Sequence, residues 1–281
     1  MISVLILTFN EAANIADCLA SLPWRDDVHV LDSASTDGTA AIAETAGARV
    51  HVRPFTNYAE QRNFGLALPF GNEWIVSLDA DERMTPALAR EIEHAIGVAS
   101  TATALFRVRR KDMFIGRWLR RSSGYPTWFP RIFRRGHVRV KREVNEEYVA
   151  EGEVRALREH ILHFPFNKGL EWWFERHNRY STMEAATLTA ERSSRAIRAS
   201  DVLSADAGSR RSALKQIAYR FPGRPFLIFL YLYVFRLGFL DGRAGFHFAS
   251  MRLAYEVMID AKLAHCKHLV TAAYREPGEC D

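Results

Sequence analysis

The sequence is short of several things. Of its 281 residues only three are cysteines (Cys18, Cys266 and Cys280). An odd number without metal-ligand spacing points to neither a disulfide framework nor a zinc site. The start, Met1-Ile2-Ser3-Val4-Leu5-Ile6-Leu7, lacks the basic lead-in and small-residue cleavage site of a secretory leader, so a reducing cytoplasm is the expected compartment. No internal repeat is visible. The longest apolar window, Pro225 to Phe235 (PFLIFLYLYVF), has eleven residues and is broken by Arg236, well under the ~20 that a spanning helix needs. Acid is scarce in one segment. From Leu105 to Arg142 there are thirteen Lys and Arg against one acid, Asp112, which leaves 25 bases to 32 acids elsewhere. A mildly acidic body therefore carries one strongly basic stretch.

What is present is an alternation. Ile2 to Thr8 is a β-rich apolar run that stops at Asn10-Glu11, and Ala12 to Leu22 reads as helix. Val28 to Leu31 is a second strand, followed by the polar turn Asp32-Ser33-Ala34-Ser35-Thr36-Asp37-Gly38-Thr39 and a helix over Ala40 to Ala46. Arg49 to Arg53 reads as strand, Ala59 to Leu68 as helix, and Glu73 to Leu78 as strand ending at Asp79. Thr85 and Pro86 open a further helix to about Val98, as cap and first helical residue. Leu105 to Arg109 and Arg131 to Phe133 read as strands. Strands and helices alternating at these lengths predict an α/β fold with a mostly parallel, helix-covered sheet. Ligands in such sheets sit beyond the carboxyl ends of the strands, where Asn10, Glu11, Asp32 and Asp79 would gather. After about Pro165 helical patterns dominate, so the expected division is 1–165 and 166–281.

Asp79-Ala80-Asp81-Glu82 follows the strand Trp74 to Leu78. Two carboxylates at i and i+2 past a strand end can gather oxygens around one hard cation, Mg²⁺ or Mn²⁺, completed by waters and substrate phosphates. Such a pair alone equally caps turns. The company it keeps is more telling: Thr8-Phe9-Asn10-Glu11, the Asp32 turn, and Gln61-Arg62-Asn63-Phe64-Gly65 stand in order before it. Together they resemble the inverting family 2 glycosyltransferases, which have the GT-A nucleotide-sugar fold. Phe114 to Trp118, Gly124-Tyr125-Pro126, Arg131 to Arg134, Gly238-Phe239-Leu240-Asp241-Gly242 and Ala261-Lys262-Leu263 look like the subgroup of lipopolysaccharide core β-glucosyltransferases. That subgroup often has a His-Glu pair after a valine. Here the sequence reads Val144-Asn145-Glu146, with the glutamate kept and the histidine replaced.

The resemblance implies a metal-assisted hexosyltransferase that moves a sugar, glucose by preference, from a UDP-sugar to an anionic lipid-linked saccharide of the cell envelope. It implies Asp32 as acceptor for the uracil imide N–H, Thr8, Asn10 and Glu11 around the nucleoside, and Arg62 on the diphosphate. Asp79 would reach the ribose or a metal-bound water, Asp81 would ligate the metal, and Glu146 would be the base, with Glu143 and Glu147 as neighbours. His163 has two readings, a metal or phosphate contact and, more plainly, a packed core histidine.

Tyr125, Trp128 and Arg131 are candidate acceptor contacts within the basic, aromatic stretch. Its cations and rings would equally suit a polynucleotide, but the gathered carboxylates oppose that and no nucleic-acid module is present, so no nucleic-acid partner is expected. Pro225 to Phe235 with Arg220, Arg224 and Arg236 reads either as an interfacial helix on the inner face of the cytoplasmic membrane or as a buried helix. The rival functions are a nucleotide-sugar binder without turnover and a sugar nucleotidyltransferase. The second would need a glycine-rich phosphate loop, which Leu5 to Asn10 lacks.

Overall fold

A computed structural model describes residues 1–141, 147–194, 210, 217–219, 221 and 223–273. It divides into two compact units, one of residues 1–120 and 124–168, the other of residues 121–123 and 169–281.

The first unit is built on β1 (Ile2–Thr8), which pairs in parallel with β2 (Val28–Asp32) on one side and β4 (Trp74–Asp79) on the other. β3 (Arg49–Val52) extends the parallel part beyond β2. Alternate residues of β1 serve different helices, as the two-residue period of a strand requires. Val4 and Ile6 pack with Ile15, Cys18 and Leu19 of α1 (Ile15–Ala20) and with Leu88 and Ile92 of α4 (Pro86–Gly97). Leu5 packs on the opposite face with Leu31, Leu68, Phe70 and Ile75. There α3 (Tyr58–Leu66) lies so close that a Cβ on Gly65 would sit 2.9 Å from Leu5 Cδ2. α2 (Thr39–Thr45) completes the helical cover. The expected cap holds, since Thr85 Oγ1 accepts from Leu88 N at 3.1 Å.

Beyond β4 the sheet changes character. β8 (Trp128–Arg134) is antiparallel to β4 and to β6 (Thr103–Phe114), and β11 (Glu153–His163) runs parallel to β6. The short β5 (Glu82–Arg83) closes the edge against β11, and β7 (Arg117–Trp118) pairs with the end of β6. Among the described residues the sheet has nine strands, in the order β3-β2-β1-β4-β8-β6-β11-β5 with β7 beside β6. β9 (Val138–Lys141) and β10 (Glu147–Ala150) form a separate hairpin. The α/β expectation stands, with parallel pairing concentrated in β1 to β4. β6 runs five residues past the expected end at Arg109, because cross-strand partners on both sides carry its charged half.

The second unit is helical. α5 (Leu170–Ser194) and α7 (Gly242–Ala273) pack through Ala185, Leu188, Ile259 and Leu263. Lys262 Nζ donates to Asn178 O at 2.6 Å and to Ser181 Oγ at 2.7 Å, which gives the Ala-Lys-Leu motif a structural task. α6 (Arg224–Leu230) continues as a π-helical turn, Tyr231–Phe235, and a 3₁₀ turn, Gly238–Asp241, leads into α7. The Asp241 carboxylate accepts from the amides of Arg121 and Ser122 at 3.0 and 2.9 Å and from Ser122 Oγ at 2.8 Å.

Arg224 corrects one expectation. It is buried and bound by Glu256 and, at 2.8 Å, by Asp260, so it does not face headgroups. Arg220 lies outside the described residues. The apolar window itself is well exposed among the described residues, with Phe226 at 66% and Phe235 at 72%, joined by Leu227, Leu230, Tyr231, Leu240 and Phe246. No single described helix is long and apolar enough to cross a bilayer, and the pair Arg224–Phe235 and Gly238–Cys266 bends by 70°.

Candidate active site

The parallel register aligns the strand ends. Thr8 stands opposite Asp32, and Leu7 opposite both Leu31 and Asp79. Past these ends the chain makes two uncommon turns, with Asn10 at φ 53° and Ala34 at φ 63°. For a residue with a Cβ the left-handed region costs roughly 1–2 kcal/mol, so local bonds must hold it. Asn10 N donates to Ser35 Oγ at 2.7 Å, and Thr36 N donates to Asn10 Oδ1 at 2.8 Å. Asp32 organises the same turn. Its Oδ1 accepts from Thr8 Oγ1 at 2.7 Å and from Ser35 Oγ at 2.5 Å, and its Oδ2 from Ser35 N at 2.7 Å. Asp32 is buried, and three of its roughly four acceptor positions are filled. In this arrangement it fixes the turn after β2 against the end of β1.

Glu11 lies beside this turn. Its carboxylate accepts from Lys168 Nζ at 2.8 Å and from Asn14 Nδ2 at 2.9 Å. Lys168 also reaches Asn10 O at 2.8 Å. Burial pushes the Glu11 carboxyl up, against the opposing pull of Lys168 and Asn14, and the charge on Asp81 adds to the rise. Glu11 and Asp81 therefore share one electrostatic neighbourhood.

The acidic motif after β4 splits into three roles. Glu82 is fully buried, and its carboxylate takes two parallel bonds from Arg131, Nε at 2.9 Å and Nη2 at 2.8 Å. Glu82 Oε2 also accepts from Asp79 N at 3.1 Å, which fixes the turn of the motif. Asp79 is held by Arg131 Nη2 at 2.6 Å and by Arg62 Nη2 at 3.3 Å. Burial raises its carboxyl, but Arg131, then Arg62, Arg110 and His163, outweigh that and hold it well below the usual carboxylate range. Asp81 faces His163 Nε2 at 3.3 Å, and His163 Nδ1 lies 2.7 Å from Asp112 Oδ1. Burial opposes charge on His163, yet Asp81 and Asp112 raise its imidazole to about 9. The same pairing lowers Asp81 against its own burial.

These positions revise the sequence reading. Arg131 is only 3% exposed, and both its partners are acids of the motif, so it is a positioning residue and not an open acceptor contact. Tyr125 and Trp128 lie elsewhere, beside Arg109, at 5.9 and 5.5 Å from their ring centroids. Arg62 pairs with Asp79 in this structure. Glu146 and Glu143 lie outside the described residues, and Glu147 opens β10, exposed. Sequence reasoning passed over Glu82, Asp112, Arg110 and Lys168. The parallel register that sets His163 beside Asp112 joins residues 51 apart, and no local pattern announces it.

Residues for a divalent cation are present. His163 directs Nδ1 at Asp112 and Nε2 at Asp81. With the imidazole raised to about 9, Nε2 carries a proton, which a cation would displace before Nε2 could serve as a ligand atom oriented by Asp112. No group of three His, Cys, Asp or Glu suited to a metal occurs among the described residues. Two protein ligands suffice for Mg²⁺ or Mn²⁺ when phosphate oxygens and water complete the shell, so the donor set fits such an ion.

A mixed α/β sheet whose parallel strands end in polar residues beside a clamped acidic motif fits an enzyme that takes its ligand at the strand ends. Residues 3–162 match the family described as "Glycosyl transferase family 2", and the chain belongs to that family, whose fold class is GT-A. It is similar to the lipopolysaccharide core biosynthesis glycosyltransferase LpsC of Rhizobium meliloti, 33% identical over 66% of this chain and 70% of that one. An uncharacterized glycosyltransferase of Rickettsia felis is 47% identical over 94 residues, and the match spans only 33% of each chain. Glucosyl-3-phosphoglycerate synthase from Mycobacterium tuberculosis, crystallised with Mn²⁺ and UDP, overlaps 40% of this chain and 44% of its own at a TM-score of 0.34 and 24% identity. That overlap is too partial to bear on function.

Proposed function

We propose that the protein transfers a hexose, glucose by preference, with inversion from a UDP-sugar to an anionic lipid-linked saccharide such as lipopolysaccharide core. The observation that carries this reading is the cluster at the sheet edge. Asp81 faces a histidine fixed by Asp112 of β6, and Asp79, at the end of β4, is clamped by Arg62 of α3 and Arg131 of β8, within a family 2 domain. Asp81 and His163 would hold Mg²⁺ or Mn²⁺. A bound cation would offset the charge that gathers on the departing diphosphate.

The remaining work falls to the chain. Thr8, Asn10, Glu11 and Asp32 would line the nucleoside end, with the Asn10 turn keeping the β1 and β2 loops in register. Arg62 carries a planar fork of donors suited to diphosphate oxygens. Asp79, kept ionised by its arginines, would accept a ribose hydroxyl. Inversion needs one base opposite the leaving group to take the proton of the acceptor hydroxyl. Glu146 has that role by family resemblance.

The test is acceptor-dependent UDP release by the full chain with Mn²⁺, UDP-glucose and membranes depleted of this protein. Glu146→Gln is expected to lower kcat by about a hundredfold or more, with the donor KM within about twofold. Absence of turnover with every UDP-sugar would leave a binder in place of an enzyme. An unchanged kcat in the variant would move the base.

Attachment to the inner face of the cytoplasmic membrane belongs to the same reading. Its support is the exposed apolar window from Phe226 to Phe246, where each buried large side chain is worth about 1.5–3 kcal/mol. Replacing Leu230 and Phe235 together by serine is expected to weaken binding to phosphatidylglycerol vesicles by about tenfold or more. Sedimentation with vesicles that does not change would end this part of the proposal.

A further inference from the structure

The sheet face turned away from the acidic motif holds a second constellation, cationic and aromatic. On β6, Arg110 and Asp112 share the side of Asp81 and His163. Arg109 and Lys111 are one residue out of step and point the other way. Cross-strand register puts Trp128 and His160 opposite Arg109, and Trp118 opposite Met113, so all lie on that reverse face. The contacts agree. Lys111 Nζ stands 4.3 Å from the Trp118 ring centroid and the Arg120 guanidinium 5.5 Å from it, and Trp118 meets Tyr125 edge to face at 4.8 Å.

Two donors in this group are buried without an acceptor among the described residues, Arg109 Nε and Trp118 Nε1. Buried donors are nearly always paired, and an unmet one is costly. The local charge is predominantly positive, with one carboxylate, Glu159, 3.7 Å from His160 Nδ1 and acting on Lys111. Burial holds the Lys111 ammonium below its ordinary value, opposed by Glu159 and reinforced by Arg109 and Arg120. Burial, followed by Lys111, does the same to His160. Cations crowded together with unmet donors call for an anion.

We propose that Arg109, Lys111, Arg120 and the Trp118 indole form a binding site for a phosphate group, carried by a phosphorylated saccharide or by an anionic lipid headgroup. Three cations match a dianion better than a single carboxylate, and guanidinium and indole N–H groups donate directly to phosphate oxygens. The rings of Trp118, Tyr125 and Trp128 would flank the sugar or glycerol that bears it. The site shares no residue with the acidic motif and does not depend on the sugar-transfer reading.

The test uses the full chain labelled with ¹⁵N at tryptophan and titrated with inorganic phosphate at constant ionic strength. A saturable shift of the Trp118 indole N–H is expected, assigned by its loss in Trp118→Phe. Arg109→Gln with Lys111→Gln should weaken phosphate binding by about tenfold or more. Arg120→Gln, at an exposed position, should weaken it a few-fold, and Arg90→Gln on α4 should leave it unchanged. No saturable shift at Trp118, or equal affinity in the Arg109/Lys111 pair and the wild type, overturns the site.

Vesicles of phosphatidylglycerol in phosphatidylcholine then separate the sources. Binding that falls about tenfold in the Arg109/Lys111 variant assigns the lipid headgroup, whereas unaltered vesicle binding with phosphate binding lost assigns a phosphorylated saccharide. Mn²⁺-dependent UDP affinity, measured on the same samples, reports separately on the sheet-edge cluster.

Discussion

Asp81→Ala is expected to reduce sugar transfer by about a thousandfold while leaving the fold intact. The side chain is partly exposed and among the described residues its ion-pair partner is His163, so truncation leaves no cavity in the core. What it removes is the carboxylate that faces the ordered imidazole, and with it half of the donor set proposed for a divalent cation. Losses of this order are typical when a group that stabilises developing charge is deleted. Two readouts check the cause. UDP release should fall, and Mn²⁺ should no longer tighten UDP binding in calorimetry, with far-UV circular dichroism unchanged. Asp112→Asn, which loosens the hold on His163 and also removes the ion pair with Arg110 at 3.2 Å, should cost about ten- to a hundredfold in the same metal-linked affinity. Full activity in Asp81→Ala would remove the sheet edge as the reacting centre.

Arg131→Met should act on stability first. Its guanidinium is the partner of a fully buried glutamate, and Asp79 loses its nearer cation in the same stroke. Breaking a buried ion pair from one side costs about 3–5 kcal/mol, because the remaining charge stays in a place water cannot reach. For a chain of this size that is a fall of roughly 10 °C in Tm. Adding Glu82→Gln removes the stranded charge while keeping an acceptor for the Asp79 amide, and most of the lost stability should return. Activity should not return with it, since Asp79 would keep only the longer contact to Arg62, at 3.3 Å, and lose the nearer guanidinium. A single variant that melts within about 2 °C of wild type would show that the pair contributes little.

The sequence discloses the half of this molecule that is written locally. β1, β2 and β4 are short apolar runs ending in polar residues, and their parallel register follows from burial on both faces. Thr8, Asp32 and Asp79 meet where strand ends must meet. In the sequence Arg131 is one basic residue among thirteen, which hides its structural task. Only the antiparallel passage of β8 beside β4 delivers it to Glu82, 49 positions earlier. The same limit hid Asp112, which reads as the stray acid of a basic stretch until β11 lays His163 beside it. The basic stretch itself divides by strand alternation. Arg110 and Asp112 go to one face and Arg109 and Lys111 to the other, a sorting that stays invisible while the strand is taken to stop at Arg109. In the sequence Arg224 reads as a headgroup anchor because it adjoins an apolar run, whereas its acids come from α7, more than thirty residues on.

The clasp made by Asp241 bears on how this chain could be dissected or recombined. Residues 121–123 are threaded between two stretches of the sheet unit, yet they belong to the helical one. No single cut therefore separates the two bodies. A fragment ending at Lys168 would keep the amides of Arg121 and Ser122 and lose the carboxylate that receives them, leaving a frayed loop exposed to proteases. Grafting a helical tail from another protein would succeed only if the tail brought its own acid to the position of residue 241.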